Sequence, residues 1–310
     1  MKKLLRYFLY FVGILLALLL ALLYTFTSAP LPEPKALSES LPIALPPPEM
    51  AIFQLPTGLT HRTAAFGYRG GSFFDNRDFS MTAILIKHPK GDILIDTGFG
   101  SEIDAHFAKM PFFFRLGTNY EKKTPAAVQL AQAGYDLKKL HAILLTHAHW
   151  DHVSGITDFP KTPVLITADE RGFIESDNPW SAVARSLRNV VYQEYDFEDK
   201  PYLGFSKSHD FYGDGSIVIV SAAGHTPGSI IVFVTLPNNR RYAFVGDLVW
   251  QREGITEREE KPWLMRRSAD SDSEKVRENI LRMSAIATRF PEMIIVPAHD
   301  SRAFAEIPQL

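Results

Sequence analysis

No cysteine occurs among the 310 residues, so a disulfide framework and a cysteine nucleophile are both excluded, and folding must rest on a buried core. One-sided charge is lacking too: 33 Lys and Arg stand against 35 Asp and Glu, a formal net charge of −2. A balanced chain of this kind has no bulk attraction for a polyanion, and nucleic acid is not expected as a partner. Internal repeats are also missing, and apart from one proline-rich stretch there is no low-complexity tract.

The first positive feature is the N-terminus. Lys2, Lys3 and Arg6 precede an apolar run from about Tyr7 to Phe26, interrupted only by Gly13 and a few hydroxyls. That run is long enough to cross a bilayer. A cleaved signal peptide has a shorter apolar region, roughly 7–15 residues, ending in a small-x-small site, whereas Thr27-Ser28-Ala29 is followed by Pro30, a poor place to cut. Residues 1–28 are read as a transmembrane signal anchor. Basic residues ahead of the run leave the N-terminus in the cytoplasm and carry the rest to the extracytoplasmic (periplasmic or extracellular) side. The absence of cysteine agrees with an oxidising compartment without requiring one. Pro30, Pro32, Pro34, Pro42 and Pro46-Pro47-Pro48 block helix and sheet over residues 29–50 and predict an extended, polyproline-like linker, a spacer between membrane and domain.

From residue 51 to 310, apolar runs such as Thr82–Ile86 and Ala142–Leu145 alternate with helical stretches near Pro125–Ala133 and Ser273–Arg289, where Val276, Ile280, Met283 and Ile286 recur at helical spacing. Alternation of this sort implies layered α/β packing in one large domain.

Within that domain, Thr146-His147-Ala148-His149-Trp150-Asp151-His152 packs three imidazoles and a carboxylate into six positions. Imidazole and carboxylate suit zinc and its neighbours among divalent ions, and a donor set without thiolate argues for a catalytic rather than a closed structural site. Such a cluster reads as half of a two-metal site, to be completed by ligands later in the chain. Three apolar runs each deliver one at their ends: Ser216–Val220 leads to His225, Tyr242–Val245 to Asp247, and Met293–Val296 to His299. Upstream, Asp92–Ile95 ends in Asp96-Thr97-Gly98, an acidic group placed like a partner to a ligand. His61, His88, His106, His141 and His209 stand outside any such pattern and read as ordinary surface or core residues.

In this order and spacing the residues resemble the metallo-β-lactamase superfamily, whose ordered signature is a strand-end Asp, His-x-His-x-Asp-His, then His, Asp and His. The resemblance covers roughly residues 51–310 and implies a four-layer αβ/βα sandwich, here preceded by one transmembrane helix. It further implies two zinc ions per chain, with iron or manganese as alternatives: one held by His147, His149 and His225, a second by Asp151, His152 and His299, and Asp247 bridging them. Asp96 would orient a ligand imidazole. A hydroxide shared between the metals would attack, and Asp151 or Asp247 would shuttle the proton.

Asp-Thr-Gly-Phe-Gly, the histidine-rich motif and Val-Pro-Ala-His-Asp look most like the N-acyl-homoserine lactonase branch. Many members of that branch carry a tyrosine three residues after the bridging Asp, whose hydroxyl can assist the substrate carbonyl. The position here is Trp250, whose indole donates a hydrogen bond but cannot exchange a proton, a departure that bears on lactone opening specifically. The resemblance points to a membrane-anchored hydrolase of a lactone, ester or related acyl bond in a small molecule. Its alternatives are phosphodiester or thioester hydrolysis on the same metals, or an iron-dependent oxidoreductase. A cluster of aromatics from Phe107 to Arg115 follows the Asp96 loop, and Met110, Phe112, Phe113 and Phe114, with Trp250, are the candidate pocket for a greasy acyl or aromatic group.

Overall fold

The computed structural model describes residues 2–310. Seven strands form the first sheet: β1 (Ala51–Thr63), β2 (Asn76–Lys87), β3 (Asp92–Ile95), β4 (Glu121–Lys122), β5 (Leu140–Leu144), β6 (Val164–Ile166) and β7 (Tyr192–Glu194), in the order β4-β1-β2-β3-β5-β6-β7. Five form the second: β8 (His209–Asp210), β9 (Ile217–Ser221), β10 (Ile230–Thr235), β11 (Arg241–Gly246) and β12 (Ile294–Pro297), in the order β12-β11-β10-β9-β8. The β3-β5-β6-β7 pairs and the β11-β12 pair are parallel, the rest antiparallel.

Successive side chains of a strand point to opposite faces, and β2 and β3 use this to fill two cores at once. Ile84, Ile86, Ile93 and Ile95 face inward and meet Ile217, Ile219, Val232 and Phe244 of the second sheet. Ala83, Leu85 and Leu94 face outward into a second cluster with Ile103, Leu130 and Val153 from helices on that side. A third cluster covers the far face of the second sheet, where Val276, Ile280, Met283 and Ile286 of the helix Ser273–Arg289 pack on Val218, Val220, Ile231 and Phe233. Asp272 caps that helix by accepting from the Glu274 and Lys275 amides. The result is helices, sheet, sheet, helices: the four layers expected from the sequence.

Lys2–Tyr24 is one continuous helix with none of its 23 residues buried, and at 1.5 Å per residue its length of about 35 Å matches a bilayer core of about 30 Å. It is long and apolar enough to cross a membrane.

Residues 29–50 carry no helix or strand, as the prolines predict, but the segment does not stand free as a spacer. Leu31, Leu37 and Leu41 pack against the third cluster. The Leu31 amide donates to the Arg258 carbonyl at 2.8 Å, the Gly204 amide to Glu39, Arg241 Nη2 to the Pro42 carbonyl at 3.1 Å, and the Leu45 amide to the Asp214 carbonyl at 2.7 Å. Prolines set an extended backbone, and the leucines between them supply the apolar side that binds it to the domain as a strap. Trypsin should therefore cleave after the exposed Lys35 only as fast as the strap peels away. Replacing Leu31 and Leu37 by Glu is expected to speed that cut on the order of tenfold; a wild-type chain cut as fast as an unfolded peptide would show a free linker.

Candidate metal centre

Polar loops emerge where buried strands end, and here both sheets end at the same edge. His147, His149, Asp151 and His152 follow β5; Asp96 follows β3; His225 lies between β9 and β10; Asp247 follows β11 and His299 follows β12. All eight side chains are buried. The seven that the sequence singles out as ligands fall into two groups whose donor atoms lie within 4.8 Å of one another: His147, His149, His225 and Asp247, and Asp151, His152 and His299.

The Asp247 carboxylate stands between the two sets of imidazoles. Its Oδ2 is 3.4 Å from His225 Nε2 and 3.9 Å from His147 Nε2, while its Oδ1 is 3.4 Å from His152 Nε2. His299 Nε2 lies 3.1 Å from both oxygens and 3.4 Å from Asp151 Oδ2. Two of the converging atoms, Asp247 Oδ1 and His152 Nε2, are buried without a hydrogen-bond partner. Orphaned buried acceptors and ring nitrogens are costly unless something compensates them, and imidazole with carboxylate is a donor set suited to divalent ions. The residues fit a metal.

Electrostatics divide the site. Burial pushes His147 and His149 well below the ordinary histidine range, and the neighbouring imidazoles push further the same way. Burial also lowers His225, with the Lys261 ammonium adding to it. At His152 burial opposes the charge too, but Asp96, Asp247 and Asp151 outweigh it and hold the ring well above its ordinary value. Burial would raise Asp247, yet His299 and His152 keep its carboxyl well below the usual range. His147, His149 and His225 are thus held in the neutral form that a cation requires, whereas His152, and His299 beside the Asp247 carboxylate, would release a proton on binding one.

Most of the rings are fixed from behind. His152 Nδ1 is 2.8 Å from Asp96 Oδ2, His225 Nδ1 is 2.8 Å from Asp270 Oδ1, and His299 Nδ1 donates to the Ser80 carbonyl at 2.9 Å. Anchoring one nitrogen sets the tautomer and aims the other inward. Asp96 sits at φ 53°, a left-handed conformation uncommon for a side-chain-bearing residue, held there as its two oxygens accept from the Thr146 amide at 2.8 Å and the Thr146 hydroxyl at 2.7 Å.

Three participants had no signal in the sequence. Asp270 lies in a charged stretch that reads as solvated surface, but its side chain is fully buried between His225 and Lys261, with Lys261 Nζ 2.7 Å away. Glu170 is the last residue of Thr167-Ala168-Asp169-Glu170, a string with the form of a helix capping box. Its side chain turns inward instead: it accepts from the Ala148 amide at 2.6 Å, the Thr226 hydroxyl at 2.6 Å and the Gly228 amide at 3.0 Å. One carboxylate thus ties the loop of His147 and His149 to the loop of His225. Burial pushes Glu170 up to about 7 while these donors pull it down. A Cβ at Gly228 would lie 2.3 Å from the Glu170 amide nitrogen, so only glycine permits that approach.

Beside the centre opens a cavity of about 480 Å³ whose walls include His149, Asp151, His225, Asp247 and His299 and are otherwise largely apolar. The aromatic segment divides three ways. Phe113 and Phe114 line the cavity together with Trp250. Met110, only 2% exposed, packs in the core beneath, and Phe112 points outward, so these two are not part of the wall. Trp250 donates its indole N–H to Asp247 Oδ2 at 2.8 Å, which commits that group to the carboxylate. Arg62, Phe66, Trp180 and Leu264, not foreseen, are also part of the wall.

Comparison with known proteins agrees with this geometry. Residues 77–299 match the family described as the Metallo-beta-lactamase superfamily. A probable metallo-hydrolase of Mycobacterium tuberculosis is 29% identical over 229 residues, covering 70% of this chain and 73% of the relative. The N-acyl homoserine lactonase AttM of Rhizobium radiobacter is 26% identical over 167 residues, 50% of this chain and 60% of that protein. Among solved structures, a B. thuringiensis AiiA variant with N-decanoyl-L-homoserine bound at its active site superposes with a TM-score of 0.66 at 17% identity, over 84% of this chain and 96% of that one. At that identity the likeness is one of fold.

Two substitutions test the supporting contacts. Glu170→Ala leaves the Ala148 and Gly228 amides unpaired and should destabilise the metal-free protein by about 2–4 kcal/mol in urea unfolding; an unchanged midpoint would show that the clamp is dispensable. Asp270→Asn should weaken metal binding roughly 10–100-fold in chelator competition, and wild-type affinity would remove Asp270 from the centre.

Proposed function

The chain belongs to the metallo-beta-lactamase superfamily as a metal-dependent hydrolase, and we propose that it is a membrane-anchored one that opens a lactone, ester or related acyl bond of a small, partly apolar molecule with two zinc ions. One observation carries the reading: a carboxylate, Asp247, flanked by two groups of imidazoles at the end of an apolar cavity. His147, His149 and His225 would hold one ion and Asp151, His152 and His299 the other, with Asp247 shared. Two divalent cations held there would supply Lewis acidity, making water a nucleophile near neutral pH and polarising the oxygen under attack.

The chain's own groups do the rest. Phe113, Phe114, Trp180 and Phe66 would hold the apolar part of the substrate and keep bulk water out. Hydrolysis forms one C–O bond from water to the acyl carbon and breaks the bond to the leaving oxygen, which must gain a proton. Asp151, which borders the cavity, would carry that proton. Trp250 keeps the Asp247 carboxylate oriented through its N–H. The hydroxyl that assists the carbonyl in the lactonase branch is replaced at that position by the Trp250 indole, and Arg62, the one Arg or Lys lining the cavity, would orient a substrate oxygen.

The helix Lys2–Tyr24 would anchor the enzyme with its N-terminus in the cytoplasm, by the basic residues that precede it. Retention of the helix is supported just beyond its end, where Phe26 packs between Phe66 and Phe73 and Ser28 bonds to Glu259, so the first residues after the span belong to the folded domain.

Elemental mass spectrometry on the full chain in detergent, paired with turnover of a long-chain acyl lactone and of a phosphodiester, tests this reading. About two zincs per chain with lactone or ester turnover, lost in His149→Ala, is the expected result. Iron near one per chain with neither substrate cleaved would favour the oxidoreductase, and phosphodiester turnover alone would move the reading to that bond.

A further inference from the structure

Soluble domains bury most of their aromatic rings, so where the exposed ones lie is informative. Among the described residues from 51 onward, five aromatic rings are exposed: Phe73, Phe74, Phe112, Phe113 and Trp263. All lie on three short segments around the mouth of the cavity. Phe113 is itself a wall residue and is 84% exposed; Phe112 and Leu116 stand beside it on the same short helix. Leu264, also on the wall, follows the exposed Trp263. Phe73 touches the wall residue Phe66 at a ring-centroid distance of 6.1 Å, and Phe74 is 96% exposed.

The same face receives the N-terminal helix. Phe26, two residues past its last turn, packs on Phe66 at 5.9 Å and on Phe73 at 5.2 Å. The Gly70 amide donates to the Phe26 carbonyl at 2.8 Å and Arg69 Nε to the Thr27 carbonyl at 2.9 Å. No free linker separates helix from domain. If the helix spans a bilayer, the cavity mouth cannot stand away from it: one ring, Phe66, separates the end of the span from the cavity. Arg115 and Arg267, both exposed, lie in sequence within a few residues of these apolar groups and are of the type that pairs with lipid phosphates.

We propose that the rim formed by Phe73–Phe74, Phe112–Leu116 and Trp263–Leu264 is seated in the bilayer surface. The cavity then opens into the membrane and takes its substrate from there, an amphiphile with its acyl chain in the lipid and its hydrolysable carbonyl at the headgroup level. The apolar wall continues the hydrocarbon inward to the metal centre, and the exposed aromatic rings act as interfacial anchors. This rests on the anchor and on the acyl hydrolase reading above, and the test separates the three.

A chain without cysteine accepts single labels cleanly. The full chain, reconstituted in phosphatidylcholine/phosphatidylglycerol vesicles, would carry a nitroxide at Phe74→Cys, Leu116→Cys, Leu16→Cys in the helix, or Asn238→Cys on the turn between β10 and β11. Collision with oxygen against a water-soluble nickel complex reads each label's depth. Labels at Phe74 and Leu116 are expected below the phosphates, with the one at Asn238 in water. Rim labels as wet as Asn238, while the Leu16 label lies in the bilayer, would overturn the proposal and leave the anchor intact; a wet Leu16 label would overturn the anchor and with it the seating. Spin–spin broadening among rim labels would assign the face to a second copy of the chain instead.

In the second arm, Phe112→Glu combined with Leu116→Glu should raise KM for a dodecanoyl lactone in vesicles about tenfold and leave a butanoyl homologue in solution unaffected. Equal effects on both would overturn entry from the membrane. Turnover of neither by wild type would refute the acyl hydrolase reading while the depth measurement still decides the seating.

Discussion

A carboxylate buried among imidazoles is an expensive arrangement, and the domain is organised around keeping one there. Asp247 gains from His299, His152 and the Trp250 N–H, yet one of its oxygens still lacks a partner. Isolated buried charge would shift its pKa or be expelled; here it persists because two sheets and their loops fix its neighbours. Asp96 holds His152 and Thr146, Asp270 holds His225, and Glu170 joins the loops that carry His147, His149 and His225. Each of these outer carboxylates restrains a different element. The unpaired atoms that remain at the centre are where a cation would complete the balance.

The two-sheet stack also explains why the centre lies at an edge. Between the sheets, Ile84, Ile93, Val232 and Phe244 leave no room for polar groups. Only past the strand ends can the backbone release side chains that need water or an ion, and β3, β5, β11 and β12 all end on the same side. The cavity then forms beyond the strand ends rather than inside the core, and the short helical segments that border it, at 112–116 and 263–264, are free to carry exposed apolar groups because none of their residues is fully buried.

Much of this was legible before any coordinates. Strand-end polar residues betray themselves when an apolar run stops at a His or Asp, which is why His225, Asp247 and His299 could be matched to the His147–His152 cluster. The long helix Ser273–Arg289 was visible in the spacing of Val276, Ile280, Met283 and Ile286. What stayed hidden depends on contacts across the chain. Glu170 has the local form of a capping box, and only the fold brings Ala148 and Gly228 to it. Asp270 and Lys261 look solvated because their partner, His225, is distant in sequence. In the Phe107–Arg115 cluster composition marked an apolar segment, but which ring faces core, cavity or solvent depends on how one short helix is seated. The prolines of 29–50 likewise set the backbone of the strap without showing that Arg258 and Gly204 receive it.

If Asp247 is the group two metals share, their separation is the most direct consequence. Zinc-edge X-ray absorption on the metal-loaded full chain should reveal a metal–metal vector at about 3.5–4 Å that disappears in Asp247→Ala. A loaded wild type with nitrogen and oxygen neighbours but no second metal at that distance would contradict a shared carboxylate and reduce the centre to separate or single sites.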